Sequence, residues 1–190
     1  MNNYSAGAII AHYMIGLGHK HIAYISTTLN EANSARVRRL EGVRDTYRDE
    51  CPEGSVIVRS REVTPKEERD NISIEHAVGF ELTRKCLGER RITAFVAVND
   101  VLDAIRAEGR RVPEDYSVCG FDNIFPSQFL PVGLTTVEHY IADKGRNAFE
   151  ILHSKMSGES SDRNITRVEF KHHLIVRDST AAPRGEEKTG

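Results

Sequence analysis

The chain has 190 residues, which is enough for one domain or two small ones. Its 26 lysine and arginine residues against 28 aspartate and glutamate residues give a net charge of −2, which argues against a chain built to coat nucleic acid or an anionic membrane. Apolar residues make up 39% and charged residues 28%, and no apolar run approaches the roughly 20 residues of a membrane helix, so membrane-spanning, collagen-like and wholly disordered classes are excluded.

The start of the chain and its cysteines bear on the compartment. No basic segment followed by an apolar stretch stands at the start, so the sequence shows no secretory signal. Cys51, Cys86 and Cys119 are an odd number at irregular spacing, which does not suit a disulfide framework. We therefore expect a reducing, cytoplasmic setting.

Helical and strand-like segments alternate along the chain. An apolar face at helical spacing predicts a first helix over residues 5–17, capped by Ser5 and ended by Gly18. Short segments that are apolar on both faces then predict buried strands. The predicted strands cover residues 21–26, 56–58, 92–98 and 116–121. Three helices are predicted between these strands. The first is capped by Asn33 or Ser34, and the other two cover residues 72–87 and 101–109.

This alternation predicts a parallel sheet with right-handed crossovers. The rhythm then changes, and the later predicted elements are an extended piece at 134–138, a long helix at 141–157 and a strand at 168–177. The helices 5–17 and 141–157 both carry apolar faces, yet no strands of their own lie beside them in the sequence. We therefore expect an incomplete second lobe.

Polar residues follow the predicted strands where the strands end. Ser26, Asn99 and Asp122 are examples. In a doubly wound sheet, ligands bind beyond the carboxyl ends of the strands. The pattern therefore predicts a site for a hydroxyl-rich ligand at this edge.

Five short motifs, in order, resemble the LacI/GalR family of bacterial transcription regulators. They are GHKHIAYI at 18–25, RLEGV at 39–43, AVND at 97–100, RVPEDYSVCGFDN at 111–123 and LTTV at 134–137. The resemblance implies an α/β fold of the type I periplasmic-binding-protein-like class, with two Rossmann-like lobes and a cleft between them. It implies a sensor of a sugar or small polar metabolite that forms a homodimer and is not an enzyme.

The resemblance also implies a division of the chain. Residues 21–136 and 166–178 would form the C-terminal, effector-binding lobe, and residues 1–20 and 137–165 would be a remnant of the N-terminal lobe. Residues 179–190 are expected to be a disordered tail. The family's helix-turn-helix headpiece is not found in this sequence, so operator DNA would be contacted only through a segment that this chain lacks.

Four residues match ligand-contacting positions of the family, and a fifth candidate, His139, follows the motif at 134–137. Arg39 would donate hydrogen bonds to effector hydroxyls or acids, and Asp122 would accept two hydroxyls. Asn99 would contact the effector directly. Asn2 stands where relatives often carry a ligand-contacting aspartate, and His139 would face the cleft at a lobe crossing. The alternatives are a solvated arginine, a turn aspartate, a frayed terminal residue and an ordinary hinge histidine.

The sequence departs from the family after Asp100. About five residues of the following helix are absent relative to the family, which at about 100° per residue turns the helix face by about 140°. In the family this helix contributes to the dimer surface. The departure therefore affects two expectations, the effector contact of Asn99 and the dimer surface on the following helix.

No metal site is expected, because His19 with His21, and His172 with His173, lack a third ligand at fixed spacing. No cofactor is expected either. Three alternatives to the sensor remain. A periplasmic sugar receptor would need a signal peptide. A small α/β enzyme would need a catalytic constellation at the strand ends. A non-functional repressor remnant would leave the apolar faces of the two flanking helices exposed.

Overall fold

The computed structural model describes residues 2–97, 101–124, 131–157 and 166–184. Within these ranges six strands form one sheet in the order β2-β1-β3-β4-β5-β6. The strands are β1 (His21–Ser26), β2 (Ser55–Ser60), β3 (Ala94–Val96), β4 (Ser117–Phe121), β5 (Thr135–Glu138) and β6 (His173–Ile175). The helices are α1 (Asn3–Gly16), α2 (Ser34–Glu50), α3 (Pro65–Asp70), α4 (Ile74–Cys86), α5 (Val101–Ala107) and α6 (Ile141–Met156).

The first five strands are parallel, which confirms the predicted α/β arrangement. The extended piece expected at 134–138 is β5, and it pairs with β4 as a full member of the sheet. The strand expected at 168–177 is shorter, because only β6 joins the ladder, antiparallel to β5. This antiparallel strand forms one edge of the sheet.

The core lies on both faces of the sheet, and β1 shows how the sequence achieves this. Side chains of successive strand residues point to opposite faces. Ala23 and Ile25 therefore join the cluster beneath α4 and α5, while Ile22 and Tyr24 join the cluster beneath α1 and α2. A strand covered on both faces explains why β1 is apolar at consecutive positions.

Helix α1, which the resemblance assigns to a remnant of the N-terminal lobe, packs on α2 and on the same sheet as the other helices. Its apolar face shares one core with β1, β3 and β4. Two glycines permit the close approach. A Cβ on Gly7 would lie 2.0 Å from the Arg39 carbonyl oxygen, and one on Gly42 would lie 2.1 Å from the Tyr4 carbonyl oxygen.

The cap of α1 also differs from the prediction. Asn2, not Ser5, caps this helix, since the Asn2 side chain accepts a hydrogen bond of 3.0 Å from the Ser5 backbone N–H. The predicted end at Gly18 is confirmed, because this glycine has φ +95° directly after the helix. Sequence pattern thus located the helix but placed its start two residues late.

Helix α6 has no buried residue and follows β5 through Tyr140, which has a left-handed φ of 52°. Its apolar face is exposed, and Phe149 is 66% accessible. An exposed apolar face on both flanking helices is what the alternative of a repressor remnant would leave, but the apolar face of α1 is buried.

Residues 179–184, which the resemblance assigns to a disordered tail, are ordered against the sheet. Ser179 is fully buried between β4 and β5. Its carbonyl oxygen accepts from the Val118 N–H at 2.8 Å, and its Oγ accepts from the Thr135 N–H at 2.8 Å. The hydroxyl in turn donates to the Val118 carbonyl oxygen at 2.7 Å. These bonds join the two strands at their amino ends.

Candidate functional site

The candidate site lies at the carboxyl ends of the parallel strands. Asp122 directly follows β4, and it and Asn123 have positive φ angles of 77° and 42°. Aspartate and asparagine tolerate this left-handed conformation better than most residues. Asn123 is held by Glu138, whose carboxylate accepts from the Asn123 side chain at 2.6 Å. The turn therefore fixes where the Asp122 carboxylate lies.

Arg39 forms a two-pronged ion pair with Asp122. The Nη2–Oδ1 distance is 2.6 Å and the Nη1–Oδ2 distance is 3.2 Å. Arg39 Nε donates to Asn3 Oδ1 at 3.2 Å, and the guanidinium lies 4.7 Å from the centroid of the Phe121 ring. The Arg39 side chain is only 13% exposed. A planar guanidinium held on three sides has a fixed orientation, and one N–H on each Nη is left to donate to ligand oxygens.

A cleft of about 160 Å³ borders this pair. Its described lining includes Ser26, Thr27 and Glu75, and the last of these pairs with Arg36. Hydroxyl, carboxylate and guanidinium groups beside aromatic rings are a suitable lining for a polyhydroxy ligand. The volume is below the roughly 300–1,000 Å³ of typical ligand pockets, so this cleft suits one wall of a site.

His139 contacts Asp122 from within the protein. The residue follows β5 and is fully buried, with Nε2 at 3.6 Å from Asp122 Oδ1. Its ring centroid lies 4.5 Å from that of His172. Burial, together with the charge of Arg39, lowers the pKa of His139 to about 4, so the imidazole is neutral near pH 7. His139 is not among the described residues that line the cleft, and it is linked to the cleft by its contact with Asp122.

The remaining predicted residues are distributed differently. Asn2 caps α1 and lines a second cavity beside the cleft. Asn99 lies outside the described residues. The structure therefore brings together Arg39, Asp122 and His139.

Sequence reasoning missed Asn3 and the role of Phe121. Asn3 orients the Arg39 guanidinium, and the Phe121 ring packs against it. A signal for Asn3 was available, since it follows Asn2 at the start of a helix. Phe121 ends a strand beside Asp122, and an aromatic residue at that point can flank a ligand site. The sequence pattern assigned no role to Asn3, and it placed Phe121 only at the end of a strand.

Comparison with known proteins places the chain in a family. The model of the family described as "Periplasmic binding protein-like domain" matches residues 11–180. The chain belongs to this family. The domain has the corresponding fold, and its sequence motifs and relatives confirm the resemblance to LacI-family regulators.

Curated relatives of the domain are repressors. It is 28% identical over 184 residues to the HTH-type transcriptional repressor PurR of Mannheimia succiniciproducens, covering 94% of this chain and 51% of that protein. It is 31% identical over 185 residues to the arabinose metabolism transcriptional repressor of Geobacillus stearothermophilus, covering 95% and 48%. The domain spans about half the length of these relatives.

A solved structure agrees with these relatives. A LacI-family transcriptional regulatory protein from Corynebacterium glutamicum superposes with a TM-score of 0.75 at 27% identity, covering 96% of this chain and 66% of that one. A LacI-family regulator from Enterococcus faecium, solved with bound ribose, shares the fold with a TM-score of 0.78 at 21% identity, covering 95% and 64%.

Over the part of the domain that the structure describes, no helix is long and apolar enough to span a bilayer.

Proposed function

We propose that this chain is the effector-binding domain of a LacI-type bacterial transcriptional regulator, and that its cleft binds a sugar or similar polar metabolite. The observation that carries the proposal is the Arg39–Asp122 pair at the carboxyl ends of the parallel strands. Membership of the family and likeness to repressors support it.

The pair suits recognition of hydroxyl groups. The Asp122 carboxylate is 31% exposed and keeps lone pairs that can accept hydroxyl hydrogens. Arg39 donates to oxygens at the same point. Because Asn3 and Phe121 orient the guanidinium before any ligand arrives, binding loses little side-chain entropy. The function proposed is binding without turnover.

The output follows from differential affinity. A ligand that contacts this wall and a facing lobe stabilises the closed arrangement, and the shift in population is transmitted through a homodimer to a DNA-binding headpiece. The facing lobe, the dimer, the headpiece and a cytoplasmic location are parts of the proposal for the whole regulator. The relatives named above are about twice as long as this chain, which agrees with such additional parts.

The test is a ligand screen with variants of the pair. Neutral sugars, sugar phosphates and nucleobases are first screened by thermal shift, and each hit is titrated by calorimetry. We expect Arg39→Met and Asp122→Asn to weaken binding at least tenfold. Arg84→Met is the matched control, because it breaks an exposed pair with Glu108 away from the cleft. A panel without a hit, or a hit that binds both site variants as well as the wild type, would overturn the proposal.

A further inference from the structure

A second cavity of about 400 Å³ opens beside the cleft. It lies between the first turns of α1 and α2, helix α6 and the segment 167–170. Its described lining holds three cationic side chains, Arg38, Lys144 and Arg167, against one carboxylate, Glu169. The cavity therefore has an excess of positive charge.

Existing ion pairs account for two of these cations. Arg167 Nη2 lies 3.6 Å from Glu169 Oε2, and Arg38 Nη1 lies 2.6 Å from Glu41 Oε2. Lys144 differs. Its Nζ is buried and, among the described residues, has no hydrogen-bond partner. The ammonium lies 5.9 Å from the centroid of the Phe170 ring.

An ammonium group removed from water without an acceptor is costly, because it carries three donors and a full charge. Burial lowers the pKa of Lys144, while the carboxylates of Asp122 and Glu138 act in the opposite direction. An anionic oxygen at the Nζ would supply the missing acceptor and stabilise the charged form.

The start of α2 adds donors to the same cavity. Ser34 and Ala35, the first residues of this 17-residue helix, line the cavity. Asn33, the N-cap, makes no side-chain capping bond, and the first turn has no acidic residue. A 3-10 turn at Glu31–Asn33 leads directly into this helix, and no side chain of the described residues caps it, so the positive end of the helix dipole is available to an anion.

Asn3 connects the cavity to the cleft. It lines the cavity, and its Oδ1 accepts the hydrogen bond from Arg39 Nε. Resting on the proposed function, we propose that the ligand is an anionic polyhydroxy compound. Its phosphate or carboxylate group enters the cavity of Lys144, and its hydroxyls bind Arg39 and Asp122.

The direct test uses inorganic phosphate as the probe, titrated into the full chain by calorimetry at pH 7.5 and fixed ionic strength. We expect saturable binding of one phosphate per chain. Lys144→Met should weaken it at least fivefold, whereas Lys144→Arg should retain it. The control is Lys85→Met, since Lys85 is exposed and paired with Glu81. Thermal unfolding of each variant establishes that it is folded.

A second titration compares ribose with ribose 5-phosphate, and gluconate with glucose to represent the carboxylate. A gain in affinity from the anionic group that disappears in Lys144→Met supports the inference. No saturable phosphate binding, or equal binding by wild type and Lys144→Met, overturns it. If neutral sugars still bind in an Arg39-dependent manner, the proposed function stands and only the anionic ligand class is wrong. If phosphate binds but no sugar or metabolite of the panel does, the combined ligand is wrong.

Discussion

His139 Nε2 lies 3.6 Å from Asp122 Oδ1, the same carboxylate oxygen that Arg39 Nη2 approaches to 2.6 Å. The Asp122 carboxylate therefore forms an ion pair with the guanidinium and also lies against a buried, neutral imidazole, which makes no hydrogen bond among the described residues. The arrangement couples the end of β4 to the start of the segment that leads from β5 into α6. The charge of Asp122 therefore acts both on the cleft that it lines and on the buried His139.

Arg39 and Asp122 should also contribute to stability. Each single variant, Arg39→Met or Asp122→Asn, should lower the free energy of unfolding by about 2 kcal/mol, because the remaining partner loses charged hydrogen bonds in a partly buried site. The double variant should cost less than the sum of the two. Urea unfolding of the four proteins gives the coupling energy. Strict additivity would show that the two side chains do not interact in solution.

Stability should fall as the pH is lowered from about 6.5 toward 4. The pKa of His139 is depressed to about 4 in the folded chain, against its ordinary value of 6.5, first by burial and then by the charge of Arg39. The unfolded chain therefore binds more protons in this window, and the stabilisation present above pH 6.5 is lost as the histidine protonates. Burial lowers the pKa of His172 too, with the same sign. The groups that act on the His139 imidazole are Arg39, Asp122, His172 and Lys144.

The measurement is the free energy of unfolding at several pH values for the wild type and His139→Gln. The free energy of unfolding of the variant should decline less steeply below pH 6.5 than that of the wild type, whatever its absolute value. His12→Gln serves as the control, because His12 is exposed. An unchanged slope in His139→Gln would contradict the assignment.

Gly42→Ala should disrupt the contact of α1 with α2. The new methyl group would lie 2.1 Å from the Tyr4 carbonyl oxygen, which is backbone and cannot move without the helix. We expect a loss of about 2–4 kcal/mol and a weaker ligand affinity, since Arg39 lies on the same helix. A methyl group added at Gly145, on α6, would have no described atom beyond its chain neighbours and its own helix backbone within 4 Å, so Gly145→Ala is the control and should gain about 0.5–1 kcal/mol. Equal effects of the two substitutions would refute the close crossing.

The exposed face of α6 should contribute nothing to stability within this chain. Phe149→Ser and Leu152→Ser should change the free energy of unfolding by less than about 0.5 kcal/mol, apart from helix propensity, because both side chains are more than half exposed. Met14→Ala, in a fully buried position on α1, should cost about 2–5 kcal/mol. Chemical denaturation of the three variants and the wild type measures these differences in the free energy of unfolding. A large loss at Phe149 would show that the face is covered in solution.

The sequence was sufficient for the first four parallel strands and for the pair that borders the cleft, but not for the pairing of β5 and β6. The period and the apolar runs placed β1 at its observed bounds, and motif matching located Arg39 and Asp122. The partner of α1 could not be predicted from its spacing, because an apolar stripe shows that a face is buried but not against what. Gly7 was the available signal, since a small residue in a helix permits a close approach of another backbone.

The environments of isolated polar residues could not be predicted, for a different reason. His139 stands between Glu138 and Tyr140, and no local pattern distinguishes a buried histidine from an exposed one. Lys144 belongs to a helix whose face is otherwise described by its apolar members. Their environments arise from contacts between distant segments, which bring Asp122, His172 and Phe170 alongside them.

The bonds of Ser179 have a consequence for the order of synthesis. Residue 179 supplies partners to Val118 and Thr135, so both strands leave a ribosome before the group that joins their amino ends. Until that residue emerges, these backbone N–H groups lack the partners that they have in the finished sheet. Completion of this sheet therefore waits for nearly the whole of the chain described here, and a nascent chain stopped at residue 178 would retain open backbone positions beside its core.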